Sequence, residues 1–488
     1  MADVVAVARE SASVRIAPGV AARLGRARAV VERLAAGDRP VYGLNTGLGA
    51  AVDTALAERD VAQFQRRAVM ARAVGVGDYL SPDQVKAALF VRLVGIARGA
   101  SGLSPAFAKV ICDMLLKGLH PRVRRTGTLG EADLSPMAQL FLPLVGQGEV
   151  ELGGRLMPGR RALQRAGIEP PALGPKDAIA LLNANAYSVG LGALVLHDAE
   201  LALDAAMAAG ALSLEAAGAN LSPIDPRATA LRAAPGQREA SRRLLALLAG
   251  SDLIKGKPQR VQDPLSFRCL APVAGAAFDQ LARARAAIDA DLNGAGDSPA
   301  VLIDDGDVVS TVNFDTTAIA LAFEGLGLAL SHAAALAVFR IAKLMSPGFS
   351  GLPRFLSPRG GASTGFATVQ KTASALEAEI RHLALPLGAL VAPVADGVED
   401  YAPMTPRVIE KTHDIVRRFT RLVAIELVVA AQAIDLRAGL TLGRGTARSF
   451  ALVRRTVARL DEDRPTGGDF ERLAGVISAG ELRTALKT

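Results

Sequence analysis

Apolar residues recur at helical spacing along most of the chain. The spacing predicts helices over 21–36, 55–73, 82–98, 105–117 and 137–145, several of them ended by glycine. From residue 175 onward long helical patterns continue to the C-terminal end, and they are interrupted at 222–226, 252–264, 294–310 and 347–361. The pattern is typical of a mainly α protein.

Two short stretches favour strands instead. Residues 149–157 form a hairpin pattern around Gly153-Gly154, and residues 301–309 read strand–turn–strand with Asp305-Gly306 at the turn. The loops and the first hairpin lie in the first part of the chain. The sequence therefore predicts an N-terminal mixed α+β domain over 1–190 and a long helical-bundle domain over 191–488.

The composition agrees with close helix packing. Half of the 488 residues are apolar, but only 4% are aromatic and none is Trp, so the core consists mostly of Ala, Leu and Val. The net charge of +8 is spread along the chain without the basic and aromatic interleaving of RNA-binding proteins. We expect no nucleic-acid partner, and the positive charge favours an anionic substrate.

Two apolar runs, 318–339 and 422–436, are long enough to span a membrane. Each contains charged or polar residues, such as Glu324 and Glu426, which favours buried helices and no membrane partner. The N-terminal residues lack a secretory pattern, so a cytoplasmic location is expected. The five histidines have no metal-ligand spacing, and we expect no metal site: His120, His197, His332, His382 and His413.

A glycine-rich loop precedes one of the predicted helices, at 127–137 with the sequence Gly-Thr-Leu-Gly-Glu-Ala-Asp-Leu-Ser-Pro-Met. Asp133 or Ser135 is a candidate helix cap, with Pro136 at the first helical position. Glu131 stands just before the helix, where the positive end of the helix dipole stabilises an anion. By local pattern alone, this is an ordinary capped loop.

A series of motifs in order along the chain changes that interpretation. It begins with Tyr-Gly-Leu-Asn-Thr-Gly-Leu-Gly at 42–49 and continues with 181–185, 261–269, 313–314, 350–356 and 399–400. These stretches, with the loop at 127–137, resemble the histidine/phenylalanine ammonia-lyase family. The resemblance implies an ammonia-lyase (fumarase/aspartase-like) fold and a homotetramer whose sites combine loops from several subunits.

The resemblance also implies a layout for the site. Tyr42 matches the family's catalytic base, which acts on the β-carbon of the substrate, and Glu399 matches an acid near the substrate amine. Arg268 matches a clamp for the substrate carboxylate, a task that suits a bidentate guanidinium. The other matched substrate-binding positions are Asn183 and the Asn313-Phe314 pair.

The chain departs from the family where the chemistry is centred. The family's Ala-Ser-Gly triplet, which cyclises into the electrophilic methylidene-imidazolone (MIO) group, is replaced by Glu131-Ala132 after Gly130. We therefore expect no MIO and no other cofactor. Two further departures are Leu265 in place of a second Tyr, and Arg72 in place of a His.

The new charges suggest a role, because a buried charge needs a partner, a ligand or water. Our hypothesis is that Glu131 acts as a Brønsted acid or base at the centre of the site, while Arg72 binds an extra anionic group. The chain would then be an MIO-independent enzyme for elimination, addition, isomerisation or cyclisation of an amino acid or related carboxylate. The alternatives are conventional histidine or aromatic ammonia-lyase activity, and an inactive relative that binds a ligand or protein.

Overall fold

The chain is mainly helical, as its apolar spacing predicts. The structure is a computed structural model that describes residues 1–37, 39–47, 56, 58–387, 393–437 and 439–487. The predicted helices are present with slightly different bounds, because helix ends follow capping and local turns that the apolar spacing does not encode.

The helices up to residue 217 are α1 Ala2–Arg9, α2 Pro18–Ala35, α3 Glu58–Arg72, α4 Pro82–Ala97, α5 Pro105–Leu116, α6 Leu134–Phe141, α7 Gly159–Arg165, α8 Asp177–Leu182 and α9 Ala186–Ala217. Those that follow are α10 Pro226–Ala230, α11 Pro235–Leu247, α12 Asp252–Lys255, α13 Leu265–Arg268, α14 Leu270–Asn293, α15 Thr317–Leu344, α16 Pro347–Ser350, α17 Val369–Leu383, α18 Thr405–Asp435, α19 Arg444–Thr456, α20 Gly467–Ser478 and α21 Glu481–Lys487.

The strands are short and antiparallel. They are β1 Val76–Tyr79, β2 Leu119–Pro121, β3 Arg124–Thr126, β4 Glu149–Leu152, β5 Arg155–Pro158, β6 Ala300–Leu302 and β7 Asp307–Val309. Both predicted hairpins are confirmed, since β4 pairs with β5 around the two glycines and β6 pairs with β7 across the Asp-Gly turn. β2 adds to the first hairpin, and β1 pairs with β3.

The chain divides into two compact units. The first comprises 1–194, 285–321 and 387–409, and the second comprises 195–284, 322–386 and 410–488. This division differs from a single boundary near residue 190, because two later segments return to the first unit. Phe314 and Glu399, which the sequence analysis assigned to the helical-bundle domain, lie in those returning segments.

Each unit has its own buried interior. In the first, Val30, Val31 and Leu44 pack with Val301 and Val308 of the second hairpin. In the second, Arg340 and Glu426 form an ion pair with Nε–Oε1 at 2.6 Å, and both side chains are 3% exposed or less. The charge of Glu426 thus has a buried partner, in agreement with the expectation that its apolar run is a buried helix.

Two helical stretches among the described residues are long and apolar enough to cross a membrane, 177–217 and 317–344. The most apolar window of the first is 94% buried, and that of the second is 50% buried. Core helices of large proteins pass the same test of length and composition, so the finding is weak evidence for a membrane span.

Candidate functional site

The loop before α6 has a backbone that few residues other than glycine adopt. Gly130 has φ +99°, and Ala132 has φ +56° in the same left-handed region. A Cβ at Gly130 would lie 3.0 Å from the backbone nitrogen of Thr405. Since α6 begins at Leu134, Pro136 is its third residue rather than its first, which corrects the expectation from the sequence.

Asp133 anchors this loop rather than capping the helix. Asp133 holds the N-cap position of α6, as expected, but its side chain makes no capping hydrogen bond. Ser135 lies within the helix, so the expectation that it caps α6 is wrong. The fully buried Asp133 carboxylate instead accepts hydrogen bonds from the backbone N–H and the hydroxyl of Ser188, at 2.8 and 3.0 Å. These donors lie on α9, and the Asp133 carboxylate bonds to them instead of to the N–H groups of α6. Burial raises the pKa of Asp133 to about 6.

Two segments that are distant in sequence from this loop pack against it. The Thr316 hydroxyl donates to the Gly130 carbonyl at 2.8 Å, and the Met404 N–H donates to the Leu129 carbonyl at 2.8 Å. The Thr316 and Thr405 hydroxyls, both buried, are 2.8 Å apart. These bonds hold residues 313–317 and 399–405 beside Glu131.

Glu131 is partly buried and surrounded by acidic groups. Burial, the charge of Asp315, a hydrogen bond to Asp315 and the charge of Glu399 together raise the pKa of Glu131 to about 8. Its Oε1 atom is buried and has no hydrogen-bond partner among the residues that the structure describes. The site therefore disfavours the anion that the dipole of α6 was expected to stabilise.

Asp315 receives hydrogen bonds from the start of α15. Its Oδ1 accepts from the backbone N–H of Thr317 at 3.1 Å, and its Oδ2 accepts from the Thr317 hydroxyl at 2.9 Å. Because that hydroxyl has only one hydrogen, the Tyr401 phenol, 2.7 Å away, is the donor to the Thr317 oxygen. The donors in this chain of hydrogen bonds therefore point toward Asp315.

Arg72, Tyr42 and Glu399 form the other side of this charge cluster. Burial lowers the pKa of Arg72, and the charges of Tyr42 and Glu399 oppose that change. The Arg72 guanidinium, at the end of α3, also donates to the Ala68 carbonyl at 3.2 Å. The Tyr42 turn is shaped by Asn45, whose side chain accepts from the Val41 N–H at 2.8 Å. The last two residues of the 42–49 motif lie outside the described residues.

The remaining matched positions of the first unit have mainly structural contacts. The Asn183 side chain donates to the Ser298 carbonyl, and that of Asn313 donates to the Ala295 carbonyl at 3.4 Å. Phe314 is partly buried, and its carbonyl accepts from the side chain of Asn185 at 2.7 Å. Asn185 thus fixes the Phe314 loop, a role that the sequence analysis did not assign.

Arg268 belongs to the second unit, at the end of α13. Its side chain is partly buried, and its Nε atom has no hydrogen-bond partner among the described residues. The electrostatic interactions above connect Tyr42, Arg72, Glu131 and Glu399 within the first unit, and Arg268 is not among them.

Sequence reasoning missed three polar side chains of this cluster: Asp291, Asp315 and Tyr401. Burial and the charge of Asp315 raise the pKa of Asp291 to about 6. Asp315 directly follows the matched Asn313-Phe314 pair, but its interaction with Glu131 could not be predicted, because the two residues are far apart in the chain. Within the described residues, no group of three or more His, Cys, Asp or Glu side chains has a geometry for a metal ion.

Comparison with known proteins agrees with this arrangement of loops and helices. A family model for aromatic amino acid lyases matches residues 1–455. The chain belongs to that family. It is 37% identical to a histidine ammonia-lyase of Symbiobacterium thermophilum over 487 residues, which cover 99% of this chain and 96% of the relative. A histidine ammonia-lyase of Alkaliphilus metalliredigens is 34% identical over 477 residues, or 97% and 94% of the two chains.

Solved structures of lyase-family enzymes have the same fold. Ergothionase from Treponema denticola, in complex with desmethyl-ergothioneine sulfonic acid, superposes with a TM-score of 0.94 at 32% identity, covering 99% of this chain and 97% of that one. Histidine ammonia-lyase from Trypanosoma cruzi superposes with a TM-score of 0.93 at 28% identity, covering 100% and 93%. The fold and the family expected from the motifs are confirmed, and the chain is an enzyme of the lyase class.

The MIO group that is usual in this family does not fit the residues found here. Neither Glu131 nor Ala132 carries the hydroxyl that the triplet loses on cyclisation, and the following Asp133 is fixed by Ser188. The carboxyl group of Glu131 is present at this position instead, and one of its oxygens is buried without a hydrogen-bond partner among the residues that the structure describes. No chemical step is therefore assigned to MIO.

Proposed function

We propose that this lyase-family enzyme works without MIO and uses Glu131 as a proton donor toward an amino acid or related carboxylate. The observation that supports this most directly is the pair of carboxyl groups at the site centre. The Glu131–Asp315 hydrogen bond needs one proton, and a Glu131 pKa of about 8 keeps that proton on Glu131 at neutral pH.

The assignment of the proton follows from the hydrogen-bond directions. Asp315 accepts two hydrogen bonds from Thr317 at the N-terminal end of α15, where the helix dipole also favours an anion. Glu131, with its pKa raised to about 8, is therefore the protonated member of the pair. A carboxyl group that keeps its proton at neutral pH can serve as a general acid.

The remaining residues supply binding and a base. In this proposal Tyr42 removes a proton from the substrate, Arg268 binds its carboxylate, and Glu399 lies near its amine. Arg72 binds a further anionic group or balances the acidic cluster. The proton on Glu131 passes to the leaving group or to the carbon that accepts it, so the site favours a substrate already activated by unsaturation, a carbonyl or a good leaving group.

A substrate screen tests this proposal. Amino acids, their unsaturated acids and dicarboxylates are incubated with the enzyme, and products are followed by mass spectrometry and NMR. We expect turnover that Glu131→Gln reduces by at least about a hundredfold, since general acids contribute about 10² to 10⁴ in rate. Conversion that persists at full rate in both Glu131→Gln and Arg72→Ala would contradict the proposal.

A second candidate is conventional histidine ammonia-lyase activity. It is favoured by the names of the relatives, which match over nearly the whole chain at 34% and 37% identity. The sequence does contain one Ala-Ser-Gly triplet, at 100–102, but its central Ser101 is fully buried and the Ser101 carbonyl accepts from the Lys176 ammonium at 2.6 Å. Release of urocanate from histidine by the unmodified chain would establish this second candidate.

We also propose a cytoplasmic homotetramer that needs neither nucleic acid nor a membrane for its function. The support is an apolar face on α15, where Leu328 is 52% and Phe339 is 61% exposed at positions three helical turns apart. A second copy of the chain covers this face in our proposal. Light scattering after gel filtration should give four times the chain mass, and Phe339→Lys should lower it; a monomeric wild type would contradict the assembly.

A further inference from the structure

A basic pocket lies within the second unit, in a part of the chain that the proposed reaction does not use. It is a cavity of about 280 Å³ lined by side chains of α9, α11, α19 and α21. Met207, Leu247 and Leu486 contribute apolar surface, and six cationic side chains share the lining: Arg242, Arg243, Arg444, Arg448, Arg483 and Lys487.

Three of these cations already have acidic partners. Arg242 and Arg243 both donate to the Glu239 carboxylate, with distances of 2.7 Å. Asp204 accepts from Arg243 at 3.1 Å and from Arg483 at 2.6 Å. These ion pairs hold the three guanidinium groups in place, and they leave the pocket with more positive than negative charge.

The other three cations, Arg444, Arg448 and Lys487, have no hydrogen bond or ion pair with any described residue through their side chains. Arg444 and Arg448 are four residues apart in the first two turns of α19, so like charges face each other on one side of the helix. They also stand near its positive dipole end, where cations are unfavourable. Glu215 accepts the N–H of Gly443 at this end but pairs with neither arginine.

We propose that this pocket binds a small organic phosphate, with the phosphate on Arg444, Arg448 and Lys487 and an apolar group against Met207 and Leu486. Guanidinium groups match phosphate oxygens with two parallel hydrogen bonds, and Arg444 and Arg448 are the lining arginines whose side chains have no partner among the described residues. The volume is at the small end of ligand pockets, which suits a phosphate monoester rather than a dinucleotide. The site stands independently of the chemistry at Glu131.

Calorimetric titration of the full chain with phenyl phosphate and with inorganic phosphate tests this site. We expect phenyl phosphate to bind about tenfold more tightly than inorganic phosphate, because the ring is removed from water. Arg448→Gln should weaken phenyl phosphate binding by about tenfold or more through the loss of a charge-assisted hydrogen bond. Arg455→Gln is the matched control, since Arg455 is an exposed residue of α19 that does not line the cavity.

A second variant guards against damage to α19. Lys487→Gln leaves that helix unchanged and should also weaken phenyl phosphate binding, while Arg455→Gln should change it by less than about twofold. Equal weakening by Arg448→Gln and Arg455→Gln would mean general attraction to a basic surface and would overturn the site. Binding of duplex DNA without binding of phenyl phosphate would overturn it as well.

Discussion

The replacement Asp315→Asn isolates the contribution of Asp315 to the raised pKa of Glu131. With a pKa of about 8, Glu131 keeps its proton in about ten molecules for each one that has lost it at pH 7. At the ordinary value of 4.5 only about one molecule in 300 would be protonated at that pH. Glu131 can therefore act as an acid at neutral pH only because its pKa is raised.

The structure separates the causes of the elevation. Burial is the largest and survives the substitution, whereas the charge of Asp315 and the ionic character of its hydrogen bond are removed. Asn retains the size and a carbonyl acceptor, and Glu399 and Arg72 remain in place. A charged neighbour within about 4–6 Å changes the pKa of a carboxyl group by about 1 to 3. We expect Asp315→Asn to lower the pKa of Glu131 by about 1 to 2, so that half or less is protonated at pH 7.

Infrared difference spectroscopy gives a direct readout. The carbonyl band of a protonated carboxylic acid, assigned to Glu131 by its loss in Glu131→Gln, should disappear with a midpoint near pH 8 in the parent chain. The midpoint should move down in Asp315→Asn and stay in place in the control Asp304→Asn, whose target side chain is 95% exposed. A midpoint near 4.5 in the parent chain, or one unchanged by Asp315→Asn, would refute the reasoning.

The free energy of unfolding should depend on pH through the same Glu131 proton. The native chain holds it up to about pH 8, whereas the unfolded chain releases it near 4.5, so the native state binds more protons between these values. This contribution to stability is complete below pH 4.5 and is lost as pH rises through 8. Relative to Glu131→Gln, the parent chain should therefore lose stability between pH 5 and 9 in denaturant titrations; a constant difference would contradict the raised pKa.

Rate measurements distinguish the pairing of Glu131 with Asp315 from the role of Glu131 as the acid in the reaction. If Glu131 is the acid, the alkaline limb of the rate profile should move to lower pH in Asp315→Asn by the same amount as the infrared midpoint. An infrared midpoint near pH 8 together with full activity of Glu131→Gln would leave the pairing intact and eliminate the acid role.

Two further substitutions test the scaffold by chemical denaturation. Gly130→Ala should lower the free energy of unfolding by about 1–3 kcal/mol, because φ is +99° and the added Cβ would lie 3.0 Å from the Thr405 nitrogen. Gly19→Ala in α2 meets nothing within 4 Å and should change that free energy by less than about 1 kcal/mol, so equal effects would contradict the strain at Gly130. Arg340→Met should cost about 3–5 kcal/mol by leaving Glu426 buried without its cation, whereas Arg381→Ala, at a side chain 67% exposed, should cost less than about 1 kcal/mol. Equal costs for these two variants would contradict the role given to the buried ion pair.

Local sequence patterns predicted the hairpins and the helices, because these elements depend on interactions between residues close in sequence. The hairpin at 300–309 follows from its Asp-Gly turn, and the helices follow from apolar spacing. The Asp133 carboxylate shows the limit of such patterns. Its position before α6 is equally suited to capping, and only the approach of Ser188 from α9 decides that it serves as an anchor.

The ordered motif positions, including those that carry replacements, predicted which residues share a site but not which of them pair. Tyr42, Arg72, Glu131 and Glu399 could be expected at one site from ordered motifs, and their charges do interact. The pairing of Glu131 with Asp315 depends on contacts between segments far apart in sequence. Such contacts arise from packing and have no local signature.

The most direct test of the central claim is the intact mass of the native chain, followed by peptide mapping. The account requires a mass equal to that of the sequence, with the peptide over 127–137 unmodified. Loss of two water molecules in that peptide would show that an electrophile forms beside Glu131 and would contradict the account. The same loss at 100–102 would place the electrophile at the other Ala-Ser-Gly triplet and contradict it equally.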